Sequence, residues 1–231
     1  MRAVVCLPTY NERENLERMV RALGEHGISV LVIDDNSPDG TGELADRLAQ
    51  ELDHVSVLHR PRKEGLGPAY LDGFRRALAE GAELILEMDC DFSHDPRDVP
   101  RLISAAEQAD LVLGSRYIEG GSVRNWGLLR RFVSAGGSVY ARAILGVDIR
   151  DLTAGFRCYR RAVLETVDLD AITSRGYAFQ IEMTYRALRS GFRVVEIPIT
   201  FVDREQGSSK MSKAIFVEAI WKVPALRLKR L

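Results

Sequence analysis

The chain has 231 residues with 46% hydrophobic and 28% charged side chains and a net charge of −1, which suits one large globular domain or a domain with a tail and excludes a general nucleic-acid binder. Cys6, Cys90 and Cys158 are odd in number and lack metal spacing, so reduced thiols in a reducing compartment are expected. No run of about 18 apolar residues is present to span a membrane, and the N-terminus enters an apolar strand without a signal-peptide layout.

In chain order, residues 3–7 read as a buried strand ending at Pro8, and residues 13–25 as a helix with Leu16, Met19, Val20 and Leu23 on one stripe. Residues 30–33 form a second buried strand with Asp34 and Asp35 at its carboxyl end. The turn 36–40 follows, then a helix at 41–52 with Thr41 expected as its N-cap. Residues 55–58 make a third strand, 69–80 a helix, 84–88 a fourth strand and 110–114 a fifth. Alternation of this kind predicts an α/β fold with a doubly wound, mostly parallel sheet and helices on both faces. Further on, 128–145 and 177–190 read as helices, 151–157 as a loop, 194–202 as a strand and 204–213 as a polar loop.

Ligands of such sheets bind beyond the carboxyl ends of the strands. Three clusters fall at that edge: Pro8 to Glu12, Asp34-Asp35, and Asp89-Cys90-Asp91. Asp89 and Asp91 are two apart, so on extended backbone they face one point while Cys90 faces away. Paired carboxylates suit a hard cation such as Mg²⁺ or Mn²⁺, with phosphate oxygens completing its shell. Three acidic clusters at one edge would repel without a ligand or an ion.

The motifs Pro8-Thr9-Tyr10-Asn11-Glu12, residues 34–41, residues 63–70, residues 88–94, Gly114-Ser115-Arg116-Tyr117, residues 151–157, residues 176–182, Phe201 to Arg204 and Gly207 to Lys210 run in order over nearly the whole chain. Together they resemble the GT-A-fold glycosyltransferases of family 2, and among them the polyprenol (dolichol) phosphate mannosyltransferases. The resemblance implies inverting, metal-dependent transfer of mannose from GDP-mannose to a polyprenyl phosphate at a membrane. It also implies the compact subtype without transmembrane helices, peripheral on the cytoplasmic face, with a membrane-protein partner possible. The same fold using UDP-glucose or UDP-N-acetylglucosamine is the alternative.

By resemblance, Pro8, Tyr10, Glu12, Ile33 and Asp35 hold the nucleoside, and Cys90 lies with Asp89 and Asp91 at the donor. Arg204 and Lys210 suit the diphosphate, one by bidentate contact and the other as a point charge. Arg116, Arg131 and Ser134 are the candidates for the acceptor phosphate, with Arg130 and Arg131 one register apart. A phosphate monoester is mostly dianionic at pH 7, so it needs cations to position it and no general base. The expected division is a glycosyltransferase domain at 1–211 (nucleotide half 1–115, acceptor half 116–211) and a basic amphipathic tail at 212–231. In that tail Ile215, Phe216, Ala219, Ile220 and Val223 share an arc, Trp221 flanks it, and Pro224 is expected to kink it. Such a helix suits an anionic lipid surface.

Overall fold

The computed structural model describes residues 2–125, 128–174, 176–203 and 213–228, with the backbone alone described at 128–133 and 213–220. β1 (Ala3–Thr9), β2 (Ser29–Asp34), β3 (Val55–His59) and β4 (Leu84–Glu87) are parallel, linked by α1 (Arg13–Gly24), α2 (Thr41–Glu51) and α3 (Leu66–Ala79). The apolar stripe read in α1 is fully buried at Leu16, Met19, Val20 and Leu23. Each such burial stabilises by about 1.5–3 kcal/mol. α2 begins at Thr41, but the cap position is Gly40 at a left-handed φ of 86°. The Asp39 carboxylate accepts from Thr41 N, so Thr41 is the first helical residue rather than the cap.

The second half continues with α4 (Val99–Ala105), β5 (Leu111–Ser115), β6 (Ser122–Arg124), α5 (Leu128–Leu145), β7 (Arg157–Arg160) and α6 (Arg161–Thr166). It ends with α7 (Gly176–Arg189), β8 (Val194–Pro198), β9 (Thr200–Val202) and α8 (Lys213–Leu228). The seven-stranded sheet has the order β3-β2-β1-β4-β7-β5-β8, with β7 antiparallel to both neighbours. Alternate residues of the strands feed two apolar cores, one on each face.

β7 was not expected: the loop read at 151–157 takes in its first residue, and a four-residue strand closed by arginines gives no apolar run. Its insertion matters for the site. Running antiparallel, it starts where β4 ends, pairing Arg157 with Glu87 and with Leu113. Residues 151–156 therefore enter at the carboxyl edge, between the ends of β4 and β5. The single strand expected at 194–202 is two strands, since Ile199 N turns to Ser115 O and β9 leaves to pair with β6.

α8 packs against α5 and α7. Val223 and Leu226 are buried in the core beneath it, while Trp221 and Leu228 are 75% and 85% exposed. Val223, expected on a lipid-facing arc, thus faces the protein. The helix runs on through Pro224, which lies in its interior. Lys222 Nζ donates to Thr173 Oγ1 and Arg227 Nη1 to Leu145 O, so the basic side chains also tie the helix down. Among the described residues no helix is long and apolar enough to cross a membrane.

Candidate active site

The carboxyl edge collects residues from β1, β2, β4 and β5. At the end of β1, Tyr10 is half-buried with the Lys63 ammonium 3.8 Å from its ring centroid. Pro8 and Glu12 are half-buried beside it. Glu12 N donates to Thr41 Oγ1, and Glu12 Oε2 accepts from Asn15 Nδ2.

The two aspartates after β2 differ in role. Asp34 accepts from Ser37 N, Ser37 Oγ and Thr9 Oγ1, which builds the turn. Asp35 is paired with the buried guanidinium of Arg60, which also reaches Glu64 and Asp72. Burial raises the Asp35 pKa, and Arg60 only partly offsets it. This corrects the argument from repulsion: the Asp34-Asp35 cluster has an internal cation and internal donors, and needs no ligand to be stable. Arg60 was missed, although it directly follows β3 at the same edge. Ile33 is also corrected. Its side chain is fully buried in the core, and a β-carbon on Gly73 would lie 2.4 Å from Ile33 Cδ1. It cannot present an apolar wall to a base; only its main chain is at the strand end.

β4 ends at Glu87, and the chain bends over residues 90–93 with Phe92 at φ 58°. Asp89 is half-buried and Asp91 is 7% exposed. Asp91 Oδ1 accepts from Ser93 N. The bend ends the extended alternation, so Ser93 does not continue the Asp89–Asp91 face. Ser93 Oγ is nevertheless buried without a hydrogen-bond partner among the described residues. The Cys90 side chain, between the two carboxylate residues, packs into the core. Among the described residues no cluster of three or more Asp, Glu, His or Cys forms a fuller metal cage. Two hard carboxylates with a buried hydroxyl nearby fit a divalent cation that takes further oxygens from a diphosphate. His94 is no ligand candidate: it stacks on Phe156 at 5.0 Å, meets Phe201 edge-on, and burial brings its pKa down to about 4.

Beneath Asp89 lies an ionisable layer that sequence reasoning did not find. Glu87 is fully buried, accepts from Tyr159 Oη, and is held up to about 7 by burial against the opposing charge of Arg157. Arg157, also fully buried, donates to Leu152 O, Ala154 O, Gln180 O and Thr184 Oγ1. It holds the 151–156 loop in shape. A methyl on Gly155 of that loop would stand 4.0 Å from both Asp89 Oδ2 and Gln180 Nε2, so the loop lies close beside the carboxylate pair.

Across that loop stands Arg116, just after β5. Its Nε and Nη2 donate to Asp151 at 2.7 Å each, and Nη2 also to Thr153 Oγ1 at 2.9 Å. Its guanidinium lies over Tyr117 and Phe201. Burial would lower the Arg116 pKa, but Asp151 more than compensates and leaves it raised. Thr153 Oγ1 is 3.5 Å from Ser138 Oγ on α5, one turn after Ser134. Ser134 Oγ is buried without a partner among the described residues. The side chains of Arg130 and Arg131, and all of Arg204 and Lys210, lie outside the described residues. An open groove of about 520 Å³ runs along α4 and β8, and none of the residues expected at the site lines it.

The doubly wound sheet, with the carboxylate pair at its edge and the arginine beyond the inserted loop, is an α/β fold of GT-A type. Residues 4–168 match the family Glycosyl transferase family 2, and the chain belongs to it. It is 52% identical over 227 residues to a polyprenol monophosphomannose synthase of Mycolicibacterium smegmatis, covering 96% of this chain and 85% of the relative. It is 51% identical over 224 residues to an undecaprenyl-phosphate mannosyltransferase of Micrococcus luteus, covering 95% and 91%. Among solved structures, glucosyl-3-phosphoglycerate synthase from Mycobacterium tuberculosis in complex with UDP matches with a TM-score of 0.67 at 17% identity, covering 97% of this chain and 79% of that one. A mannosyltransferase from Pyrobaculum calidifontis in complex with GDP-Man and Mn²⁺ matches with a TM-score of 0.60 at 17% identity, covering 90% and 58%. At these identities the structural matches speak for the fold.

Proposed function

We propose that this enzyme transfers mannose from GDP-mannose to a polyprenyl phosphate, with inversion at the anomeric carbon. The observation that carries the reading is the pairing of an anionic pole, Asp89 and Asp91, with the Arg116–Thr153–Ser134 region across one loop. The two curated relatives, named for polyprenol and undecaprenyl phosphate, support the acceptor class.

In the reaction an acceptor phosphate oxygen bonds to the anomeric carbon as the bond from that carbon to the diphosphate oxygen breaks and GDP leaves. The nucleophile arrives charged, so no base is required. The chain agrees: His94, beside the carboxylates, is held neutral in an aromatic stack and is not placed to cycle a proton. Arg116 presents a fixed guanidinium, Ser134 a hydroxyl, and Arg131 (or Arg130, one register away) a second cation for the acceptor. Pro8, Tyr10, Glu12 and Asp35 are assigned to the nucleoside, with the main chain of Ile33 and Cys90 beside it. Arg204 and Lys210 are assigned to the diphosphate. Asp89 and Asp91 would hold Mg²⁺ or Mn²⁺, which when bound neutralises charge gathering on the departing diphosphate.

The enzyme works in this reading at the cytoplasmic face of a membrane. Because α8 packs Val223 and Leu226 into the core, its second half belongs to the globular body. Docking on anionic lipid then falls to outward residues such as Trp221 and Leu228. Donor competition tests the reading. With Mn²⁺ and a polyprenyl phosphate, GDP-mannose yields a glycolipid while UDP-glucose and UDP-N-acetylglucosamine do not. A product from either UDP-sugar alone would replace the donor assignment.

A further inference from the structure

We infer that Glu196, on the edge strand β8, is a positioning residue for the acceptor phosphate. The inference rests on the mannosyl-transfer reading, because it assigns a role through Arg116. Glu196 pairs in register with Leu113, and its half-buried side chain reaches the start of the inserted loop. One carboxylate oxygen accepts from Arg150 N at 2.7 Å and the other from Asp151 N at 2.8 Å. Two successive amides are thereby held by one rigid fork. Both bonds are charge-assisted, the stronger kind.

Asp151 carries this fix inward. Fully buried, its carboxylate accepts from Arg116 N at 3.0 Å as well as from Nε and Nη2. Both the main chain and the side chain of Arg116 are therefore referenced to Asp151. Thr153, two residues on, takes a further bond from Arg116 and approaches Ser138 on α5. The chain of contacts runs from Glu196 through two loop amides to Asp151, then Arg116, then the α5 face that carries Ser134. The links from Glu196 through Asp151 and Arg116 to Thr153 are hydrogen bonds of 2.7–3.0 Å, and the last, from Thr153 to Ser138, is a looser contact at 3.5 Å. Arg157 supports the far end of the same loop through Leu152 O and Ala154 O, so Glu196 and Arg157 clamp it from both sides. Glu196 never meets the substrate in this arrangement; it sets where the guanidinium stands.

Glu196→Gln separates this role from simple support. Glutamine keeps the shape but offers one acceptor, and its NH₂ meets an N–H, so one amide loses its partner. The variant should raise KM for a polyprenyl phosphate about tenfold. KM for GDP-mannose and Kd for GDP should stay within about twofold, since the fork does not touch the donor edge. Hydrogen exchange at the Arg150 and Asp151 amides should speed up. Glu196→Asp, one methylene shorter, should fall between the two and serves for the same comparisons if Glu196→Gln fails to fold. Equal loss for both substrates with a lowered Tm would show plain structural support and overturn the inference, as would wild-type amide exchange or an unchanged acceptor KM. If the wild-type enzyme makes no mannolipid, the functional reading fails. The fork is then judged by amide exchange and by direct binding of farnesyl phosphate, each unchanged in the variant if the inference is wrong.

Discussion

The carboxylates at this edge are chemically similar and physically different. Asp34 is held in a turn, Asp35 is steadied by Arg60 at the nucleoside end, and Glu87 is buried beneath the site with Tyr159 and Arg157 around it. Asp89 and Asp91 are, in the proposed reading, the pair that holds the cation facing the diphosphate. Asp91→Ala should therefore lower kcat/KM by on the order of 10²–10³-fold, with Tm of the nucleotide-free protein little changed; steady-state kinetics and a thermal melt check both. Glu87 allows a test of sign. Its folded pKa of about 7 lies above the ordinary carboxylate value, so the stability it contributes is present at low pH and lost as pH rises toward 7. Glu87→Gln does not titrate. The Tm of the variant minus that of wild type should thus increase from pH 4.5 to about 7 and level off beyond, in melts across that range. A difference that falls with pH would contradict the burial argument.

Elements show which parts of the fold were legible. The five strands of the first half and the first three helices follow from apolar runs and 3.6-residue stripes and fold within a few residues of the reading, whereas α4, between β4 and β5, was not read. β7 does not follow, because a strand held by a buried arginine between two others leaves no apolar signature. Without β7, the proximity of the 151–156 loop to Asp89 could not be deduced, nor could the clamp around it. Asp151, Thr153, Arg157 and Arg116 were visible as motif residues, while Arg60 and Glu196, and the contacts Arg157 makes, depend on elements distant in sequence and were not. Arg157→Met would remove the cation near Glu87 and the donor to Leu152 O and Ala154 O of the loop. Loss of such a buried partner costs about 3–5 kcal/mol, measurable by urea denaturation.

At the scale of the molecule, α8 joins the questions of stability and membrane contact. Of the expected arc, Val223 belongs to the protein core, with Leu226 beside it, while the side chains of Ile215, Phe216, Ala219 and Ile220 lie outside the described residues. Leu226→Ala should cost about 2–5 kcal/mol by leaving a cavity, while Trp221→Ser, at an exposed position, should change stability by less than about 0.5 kcal/mol. Only the second should weaken sedimentation with anionic vesicles at unchanged stability. Equal sedimentation of Trp221→Ser and wild type would remove Trp221 from the docking surface.

The proposed reaction divides its work between the two halves of the sheet edge, carboxylates after β4 and the guanidinium after β5. Its most direct test is to incubate the wild-type protein with radiolabelled GDP-mannose, a polyprenyl phosphate and Mn²⁺, and to count mannose in the organic phase. The account predicts a mannolipid whose formation stops when the metal is chelated and resumes when it is restored. Absence of any mannolipid, with Mn²⁺ or Mg²⁺ present, would contradict it.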